Sequence, residues 1–352
     1  MLAVLATVPL LVGVWLIDRI VKVFMKLRWF VIIVVLALLG SAYGGYGLFG
    51  SRGHAEGPLD IEVRSGTSFR SFTDTLARRG IISHPLIFRI AARLSGIDRN
   101  LHVGLYRLSP ADSPFRLLGR MARHEQILIK FTALEGAVLR ELVPDVAGQL
   151  GISEESLWVA VNQPDLRSEL GLTTNLIEGY LFPETYMMPW GASAEMVVMV
   201  MRSQFDSVWD RLHAQFEHTL SLHEIVTLAS MIEAEATVSE ERRRISSVFH
   251  NRLKRRMKLQ CDPTVIYAMG GLDRPLNRKD WKYDSPYNTY RVFGLPPGPI
   301  CSPGEAALRA ALNPDETDYL YFMARGDGTH IFSRTLSEHE AAYRAVKRAA
   351  RR

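Results

Sequence analysis

An uncharged apolar stretch near the N-terminus constrains this chain more than any other feature. Residues 29–49, WFVIIVVLALLGSAYGGYGLF, contain no charged side chain, and about 20 such residues cross the hydrocarbon core of a bilayer. A basic segment precedes them. Because basic flanks stay in the cytoplasm, we predict a single membrane helix over residues 29–50, a cytoplasmic N-terminus, and a periplasmic or extracytoplasmic remainder anchored in the inner membrane. The basic residues are Arg19, Lys22, Lys26 and Arg28.

Residues 1–28 allow two interpretations. They contain a further apolar run, residues 1–17, ahead of the basic segment. Met25 would also make a natural start for a signal anchor, so the segment is either an extension or a second hydrophobic span. No small-residue cleavage site follows the apolar stretch, which favours a retained anchor. Gly40 and Gly44 have the spacing of a helix-pairing motif, although small residues are also common in anchors.

Composition excludes several classes of protein. The chain has 352 residues, 47% of them apolar, which is enough for more than one domain with a sizeable core. Its net charge of +5 is spread without a long or aromatic-laced basic block, so we expect no nucleic-acid partner. His223 and Glu224 lack the second histidine of a zinc-protease motif. With no Cys/His cluster either, we expect no metal and no cofactor.

The part after the anchor reads as an α+β protein. Residues 51–58 are polar and glycine-rich and are predicted to form a linker. Residues 59–130 then show the order strand, helix, helix, strand with a turn at Ser65-Gly66, and this pattern loosely resembles the LysM domain, a small carbohydrate-binding module. A structural module without sugar affinity fits the same pattern. Residues 131–352 are predicted to form a mixed α/β catalytic domain.

The most informative short stretch is LASMIEAEATVSEERR, residues 228–243, with its paired glutamates. Apolar residues recur at helical spacing over residues 222–236, and Glu233 and Glu235 flank opposite edges of that apolar face. A solvated helix end is the simplest interpretation. Against it, an acidic residue at a helix C-terminus opposes the helix macrodipole and is a poor choice for stability.

Six ordered blocks carry a specific resemblance. EGYLFPETY (178–186), ASMIEAEA (229–236), SVFHNRL (247–253), LQCDPTVIYAMG (259–270), SPYNTYRVFGLPPGPICSPG (285–304) and YLYFMARGDGTHIFS (319–333) resemble, in order and spacing, the endolytic murein transglycosylase family (MltG, YceG-like). The resemblance covers about residues 58 to 348. It departs from the family at Ala236, where many members carry Thr, and at Cys261 and Cys301, where other small residues are frequent.

The resemblance implies a lyase that cuts peptidoglycan glycan strands between N-acetylmuramic acid (MurNAc) and N-acetylglucosamine (GlcNAc). It makes Glu235, the second glutamate of the pair, the single general acid and base, and the product a 1,6-anhydro-MurNAc end. Burial among apolar residues should keep such an acid protonated near neutral pH. Peptidoglycan synthases are possible partners. The candidate glycan-binding residues lie in the surrounding blocks: Glu178, Gln260, Asp262, Tyr287, Asn288 and Tyr290.

Two other functions fit the same residues. A non-catalytic scaffold could bind peptidoglycan and recruit synthesis enzymes, and it would tolerate loss of Glu235. A muramidase could pair Glu235 with Glu178 or Asp262 as a second carboxylate and release reducing ends. Export also makes a disulfide between Cys261 and Cys301 permissible. One helix face is cationic and is predicted to be solvated, with peptide-stem carboxylates or anionic lipid as the alternative contacts: Arg252, Lys254, Arg255 and Arg256.

Overall fold

One long apolar helix dominates the N-terminal region. Helix α1, Thr7–Gly45, continues as a short π-helical segment, Tyr46–Gly50. Over Lys26–Gly50 the mean hydropathy is 2.0, and among the described residues this is the one helix long and apolar enough to cross a membrane. Its apolar side chains are exposed, for example Leu38 at 66%. The predicted apolar helix is confirmed, and it is consistent with a membrane anchor.

The computed structural model describes residues 7–50, 52–64, 66–164 and 177–349, with side chains from residue 26 onward. Ser65 of the predicted turn and the first six residues of the N-terminal apolar run lie outside these ranges. The chain divides into two compact units, residues 1–127 and 128–352. Helices alternate with short antiparallel strand pairs, so the predicted α+β class is confirmed.

The first unit has the predicted order of strand, helix, helix and strand. Its two strands pair antiparallel, with Leu59 opposite Leu108 and Val63 opposite Gly104. Both helices pack their apolar faces on this pair around the fully buried Phe72. The order agrees with the pattern that suggested a LysM-like module, and membership of that domain class stays a prediction. In chain order the elements are β1 (Leu59–Val63), α2 (Phe69–Arg78), α3 (Pro85–Leu94), β2 (Gly104–Leu108) and α4 (Pro114–Ala122).

The segment between the anchor and β1 is held against the first unit. The Gly53 backbone N–H donates to the Pro110 carbonyl at 2.8 Å, and the N–H groups of His54 and Ala55 donate to the Gly80 carbonyl. A Cβ at Gly53 would lie 2.2 Å from the Gly80 oxygen, so only glycine allows this approach. The predicted linker is therefore tied down by backbone hydrogen bonds.

The second unit contains eight helices among its described residues and two strand pairs. Strand β3 pairs with β4, which lies more than fifty residues later in the chain, with Leu128 opposite Pro189. The hairpin of β5 and β6 turns through Gly326-Asp327-Gly328, as predicted. Its elements are β3 (Leu128–Thr132), α5 (Leu139–Leu150), α6 (Glu154–Val161), β4 (Thr185–Pro189), α7 (Ala194–His213), α8 (Leu222–Glu235), α9 (Arg242–Lys254), α10 (Asp262–Ala268), α11 (Glu305–Leu312), β5 (Tyr321–Ala324), β6 (His330–Ser333) and α12 (Leu336–Ala349).

Helix α8 is the central helix of this second core. A capping box fixes its start: the Ser221 hydroxyl accepts from the Glu224 N–H, and the Glu224 carboxylate accepts from the Ser221 N–H at 2.8 Å. Every residue from Ile225 to Ile232 is buried, and the helix packs against α9 and α11. Because α8 is enclosed on all sides, the side chain of its last residue is held in a fixed position.

Candidate active site

Glu235 is the last residue of α8. The backbone N–H of Ala236 still bonds to the Ile232 carbonyl at 2.9 Å, but Ala236 itself is extended and ends the helix. The carboxyl group is therefore carried on the end of a rigid, buried helix. Because the helix C-terminus carries partial negative charge, the ionised form of Glu235 is disfavoured there.

Burial raises the pKa of Glu235 to about 7. The nearby Cys261 thiol and Asp262 backbone N–H oppose this rise by favouring the ionised carboxylate. The negative charge of Asp262 adds to the rise, and the positive charge of Arg252 opposes it. The side chain nevertheless keeps partial access to solvent. A carboxyl group with these properties is protonated about half the time at neutral pH, which suits both proton donation and proton removal.

Glu233, two residues earlier, is in a different environment. Its side chain is only 6% exposed, and Oε1 lies 2.9 Å from a guanidinium nitrogen of Arg242. Oε2 accepts from the backbone N–H of Gly304 at 3.0 Å, immediately before α11. Both oxygens thus tie α8 to neighbouring segments. This arrangement supports a structural role for Glu233.

Asp262 lies beside Glu235 at the start of α10. Its Oδ1 accepts from the Tyr290 hydroxyl at 2.6 Å and from the Trp281 indole N–H at 3.1 Å. The Trp281 and Tyr290 rings are stacked with their centroids 5.5 Å apart. Asp262 therefore joins an aromatic pair to the neighbourhood of the acid. Stacked aromatic side chains are good partners for the apolar faces of sugar rings.

Gln260 connects the acid's surroundings to Arg252. Its backbone is left-handed, with φ of 52°, and its Oε1 accepts from a guanidinium N–H of Arg252 at 3.3 Å. Arg252 is 7% exposed and also donates to the carbonyls of Leu259 at 2.7 Å and Leu320 at 2.6 Å. The prediction of a solvated cationic face is wrong at this residue, because backbone carbonyls from distant segments enclose it.

Asn288 organises the loop that carries Tyr290. It is fully buried, and its amide N–H groups donate to the carbonyls of Trp281 at 3.0 Å and Tyr283 at 2.7 Å. Its Oδ1 accepts from the Tyr290 backbone N–H at 3.0 Å. These bonds occupy both ends of the amide, so Asn288 positions Tyr290 through the backbone.

Glu178 and Tyr287 meet at Tyr267, five residues along the chain from Asp262. Glu178 is 4% exposed and accepts from the Leu139 N–H at 2.9 Å and the Tyr267 hydroxyl at 3.2 Å. Burial raises the pKa of Glu178 to about 7 as well, against the lowering effect of those two bonds. The Tyr267 and Tyr287 ring centroids lie 5.0 Å apart. The candidate residues thus form two groups, one at Asp262 and one at Tyr267.

Sequence reasoning missed three parts of this site: the Trp281 indole, the Thr289 hydroxyl that accepts from the Cys261 N–H at 2.9 Å, and the contact between Cys261 and Glu235. Trp281 stands in a polar stretch with no local signal. Cys261 directly precedes Asp262, and that adjacency was the one available hint.

Both cysteines are buried free thiols. Among the described residues, no group of three or more histidine, cysteine or acidic side chains could hold a metal ion.

The sequence profile of the YceG-like family matches residues 61–345 of this chain. The chain belongs to the YceG-like family. A Bacillus subtilis protein named endolytic murein transglycosylase is 33% identical over 303 residues, which cover 81% of this chain and 83% of the relative. A Streptococcus pneumoniae protein of the same name is 28% identical over 351 residues, and the match covers 88% of this chain but 63% of that longer relative.

A solved structure agrees with the family assignment. The crystal structure of a YceG-like protein from Listeria monocytogenes shares 32% sequence identity with this chain and superposes with a TM-score of 0.55. The match covers 81% of this chain and 98% of the Listeria chain. The fold described above is therefore that of the family over most of its length.

Proposed function

We propose that this protein is a membrane-anchored endolytic lytic transglycosylase. It cleaves the bond between MurNAc and GlcNAc within peptidoglycan strands, leaves 1,6-anhydro-MurNAc ends, and so terminates or trims nascent strands. The observation that carries the proposal is the position of Glu235, a carboxyl with a pKa of about 7 at the end of a buried helix. Relatives named endolytic murein transglycosylase support the same reaction class.

One carboxyl group is sufficient for this reaction. Protonated Glu235 donates its proton to the glycosidic oxygen as the bond to C1 of MurNAc breaks, and GlcNAc leaves with a free hydroxyl. The resulting carboxylate then accepts the proton of the MurNAc C6 hydroxyl while O6 bonds to C1. Glu235 ends the cycle protonated, and no water is consumed. A pKa near the working pH serves both steps, since neither the gain nor the loss of the proton is strongly uphill.

The candidate glycan-binding residues form two groups, one around Asp262 beside Glu235 and one around Tyr267. We propose that Asp262, Tyr290 and Gln260 line the subsites next to Glu235, with the stacked Trp281 ring beside them. A second group, Glu178 and Tyr287 at Tyr267, is proposed for more distant sugar contacts. Asn288 contributes indirectly, because it positions the loop that carries Tyr290.

A muramidase is the second candidate function, and one observation favours it. The negative charge of Asp262 acts directly on Glu235, so two carboxyl groups are close together, as the two-carboxylate mechanism requires. Asp262 would then activate water or form the covalent intermediate. Its bonds to Tyr290 and Trp281 favour an orienting role instead. The two mechanisms differ by one water molecule in the new end.

The proposed location follows from the anchor. We propose that Lys26–Gly50 spans the inner membrane, with the basic segment in the cytoplasm and the second unit outside. The peptidoglycan strand is then within reach of the second unit as it is synthesised, and synthases become the expected partners.

Replacement of Glu235 tests the catalytic assignment. Glu235→Gln keeps the shape of the side chain but removes the transferable proton, and general acid–base catalysis typically contributes about 10²–10⁴-fold. We expect a loss of that size on purified glycan strands. The matched control is Glu240→Gln, an exposed glutamate five residues later, which should cleave at the parent rate. A Glu235→Gln protein that cleaves at the parent rate would show that another residue is the acid. A parent protein that releases no product would leave the non-catalytic scaffold as the explanation.

A further inference from the structure

Helix α3 of the first unit is apolar on its outer side as well as on its inner side. Phe88 and Ala92 face the core and are fully buried. Leu86, Ile90 and Leu94 follow one another at every fourth position and are 62%, 53% and 85% exposed. We call these three residues the outer α3 face. A soluble module usually has polar residues on such a face, and a contiguous exposed apolar patch marks an interaction surface.

The outer α3 face lies beside the anchor helix. Together with Phe115 of α4, its residues line an apolar crevice of about 720 Å³, and Gly40 and Gly44 of α1 line the opposite wall. No atom lies within 4 Å of the Cβ position of either glycine, so the crevice remains open there.

Direct contacts hold the first unit and the end of the anchor together. The Tyr43 hydroxyl lies 3.3 Å from the His84 Nδ1, just before α3. The Phe49 and Phe115 rings are 5.0 Å apart. At Gly47, an added Cβ would overlap with the Ile87 side chain, so the two residues are closely packed. The height of α3 relative to the membrane is therefore set by the depth of residues 40–49.

That depth follows from helix geometry. A hydrocarbon core of about 30 Å takes about 20 residues at 1.5 Å per residue. Counted from Arg28, the last cation before the apolar stretch, the core extends to about residue 48. Residues 40–49 thus lie in the outer half of the bilayer and its interface, where Tyr43 and Tyr46 match the aromatic belt.

We propose that the outer α3 face is seated in the outer leaflet and that lipid acyl chains fill the crevice between α3 and the anchor. This inference rests on the proposed orientation of the anchor. Acyl chains suit the crevice because its walls are apolar and lie at the depth of the hydrocarbon. Arg93 is exposed between Ile90 and Leu94 in the sequence, and its side chain is long enough to reach lipid phosphate groups from an apolar surface. Two elements, the anchor α1 and the outer α3 face, then attach the first unit to the membrane.

A depth measurement on the full-length chain in vesicles tests the proposal. A nitrobenzoxadiazole label is attached at Leu94→Cys, and phospholipids with doxyl groups on their acyl chains serve as quenchers. Leu94 is 85% exposed, so the substitution removes little packing. The matched control is Arg64→Cys, directly after β1, where the side chain is exposed and does not line the crevice. Cys261 and Cys301 are buried, and the unsubstituted chain measures their residual labelling.

We expect the label at position 94 to be quenched several-fold more strongly than the label at position 64. Equal quenching at the two positions would overturn the proposal. Weak quenching together with cross-linking of Leu94→Cys between two chains would also overturn it, because a second copy of the chain would then occupy the crevice. The measurement needs no catalytic turnover, so its failure leaves the proposed reaction intact. A chain that alkali extracts from the vesicles would contradict the anchor itself.

Discussion

Glu235→Gln should change the stability of the second unit in a pH-dependent way. A carboxyl group whose pKa is 4.5 when exposed and about 7 when folded binds its proton more tightly in the folded state. Folding stability therefore falls as pH rises from about 4.5 to about 7, and the lowered stability persists above that window. Since a tenfold change in proton affinity is about 1.4 kcal/mol, the loss amounts to up to about 3 kcal/mol. A glutamine at this position removes the loss.

The assay is urea unfolding of the full-length protein in detergent, followed by tryptophan fluorescence, at pH 4.5 and at pH 8. The quantity of interest is the stability of Glu235→Gln minus that of the parent at each pH. This difference should increase by up to about 3 kcal/mol between the two pH values. Glu178, whose pKa is also raised to about 7, contributes equally to both proteins and cancels. An unchanged difference would refute the claim that Glu235 is held protonated by burial.

Three further predictions follow from contacts in the second unit and from the anchor. Glu233→Gln breaks the buried ion pair with Arg242 and should lower the free energy of unfolding by about 3–5 kcal/mol; a neutral effect in urea unfolding would contradict the structural role. Cys261 and Cys301 are buried free thiols, so maleimide should label neither in the folded protein and both after denaturation without reductant, whereas labelling that needs reductant would indicate a disulfide. A C-terminal fusion should be active with a reporter that works only outside the cytoplasm, and activity with a cytoplasmic reporter alone would contradict the topology.

Local patterns were sufficient for several elements of the fold. The apolar helix of the anchor, helix α8 and the hairpin around Asp327 each have a signal within a few residues of sequence. The pairing of β3 with β4 has no such signal, because Leu128 and Pro189 are brought together only by the packing of the helices between them. Sequence periodicity carries no information on contacts of that separation.

The candidate site also combines features that local sequence patterns predict with features that depend on distant contacts. Periodicity placed Glu233 and Glu235 at the edges of one apolar face but gave no means to choose between them, and the resemblance to a family supplied the choice. The structure adds a physical reason. Both carboxylate oxygens of Glu233 accept hydrogen bonds, one from Arg242, nine positions later, and one from Gly304, seventy-one positions later. The prediction that Arg252 is solvated is wrong for the same reason. Its enclosing carbonyls, such as that of Leu320, belong to a segment that no helical pattern reveals.

The mass of the new glycan ends shows whether the cleavage is a transglycosylation or a hydrolysis. Purified full-length protein is incubated with uncross-linked glycan strands, and the products are separated and weighed by mass spectrometry. We expect ends that are one water molecule lighter than hydrolysis products, because O6 of MurNAc, and not water, attacks C1. Reducing ends of full mass would contradict this mechanism and would favour a muramidase with a second carboxylate.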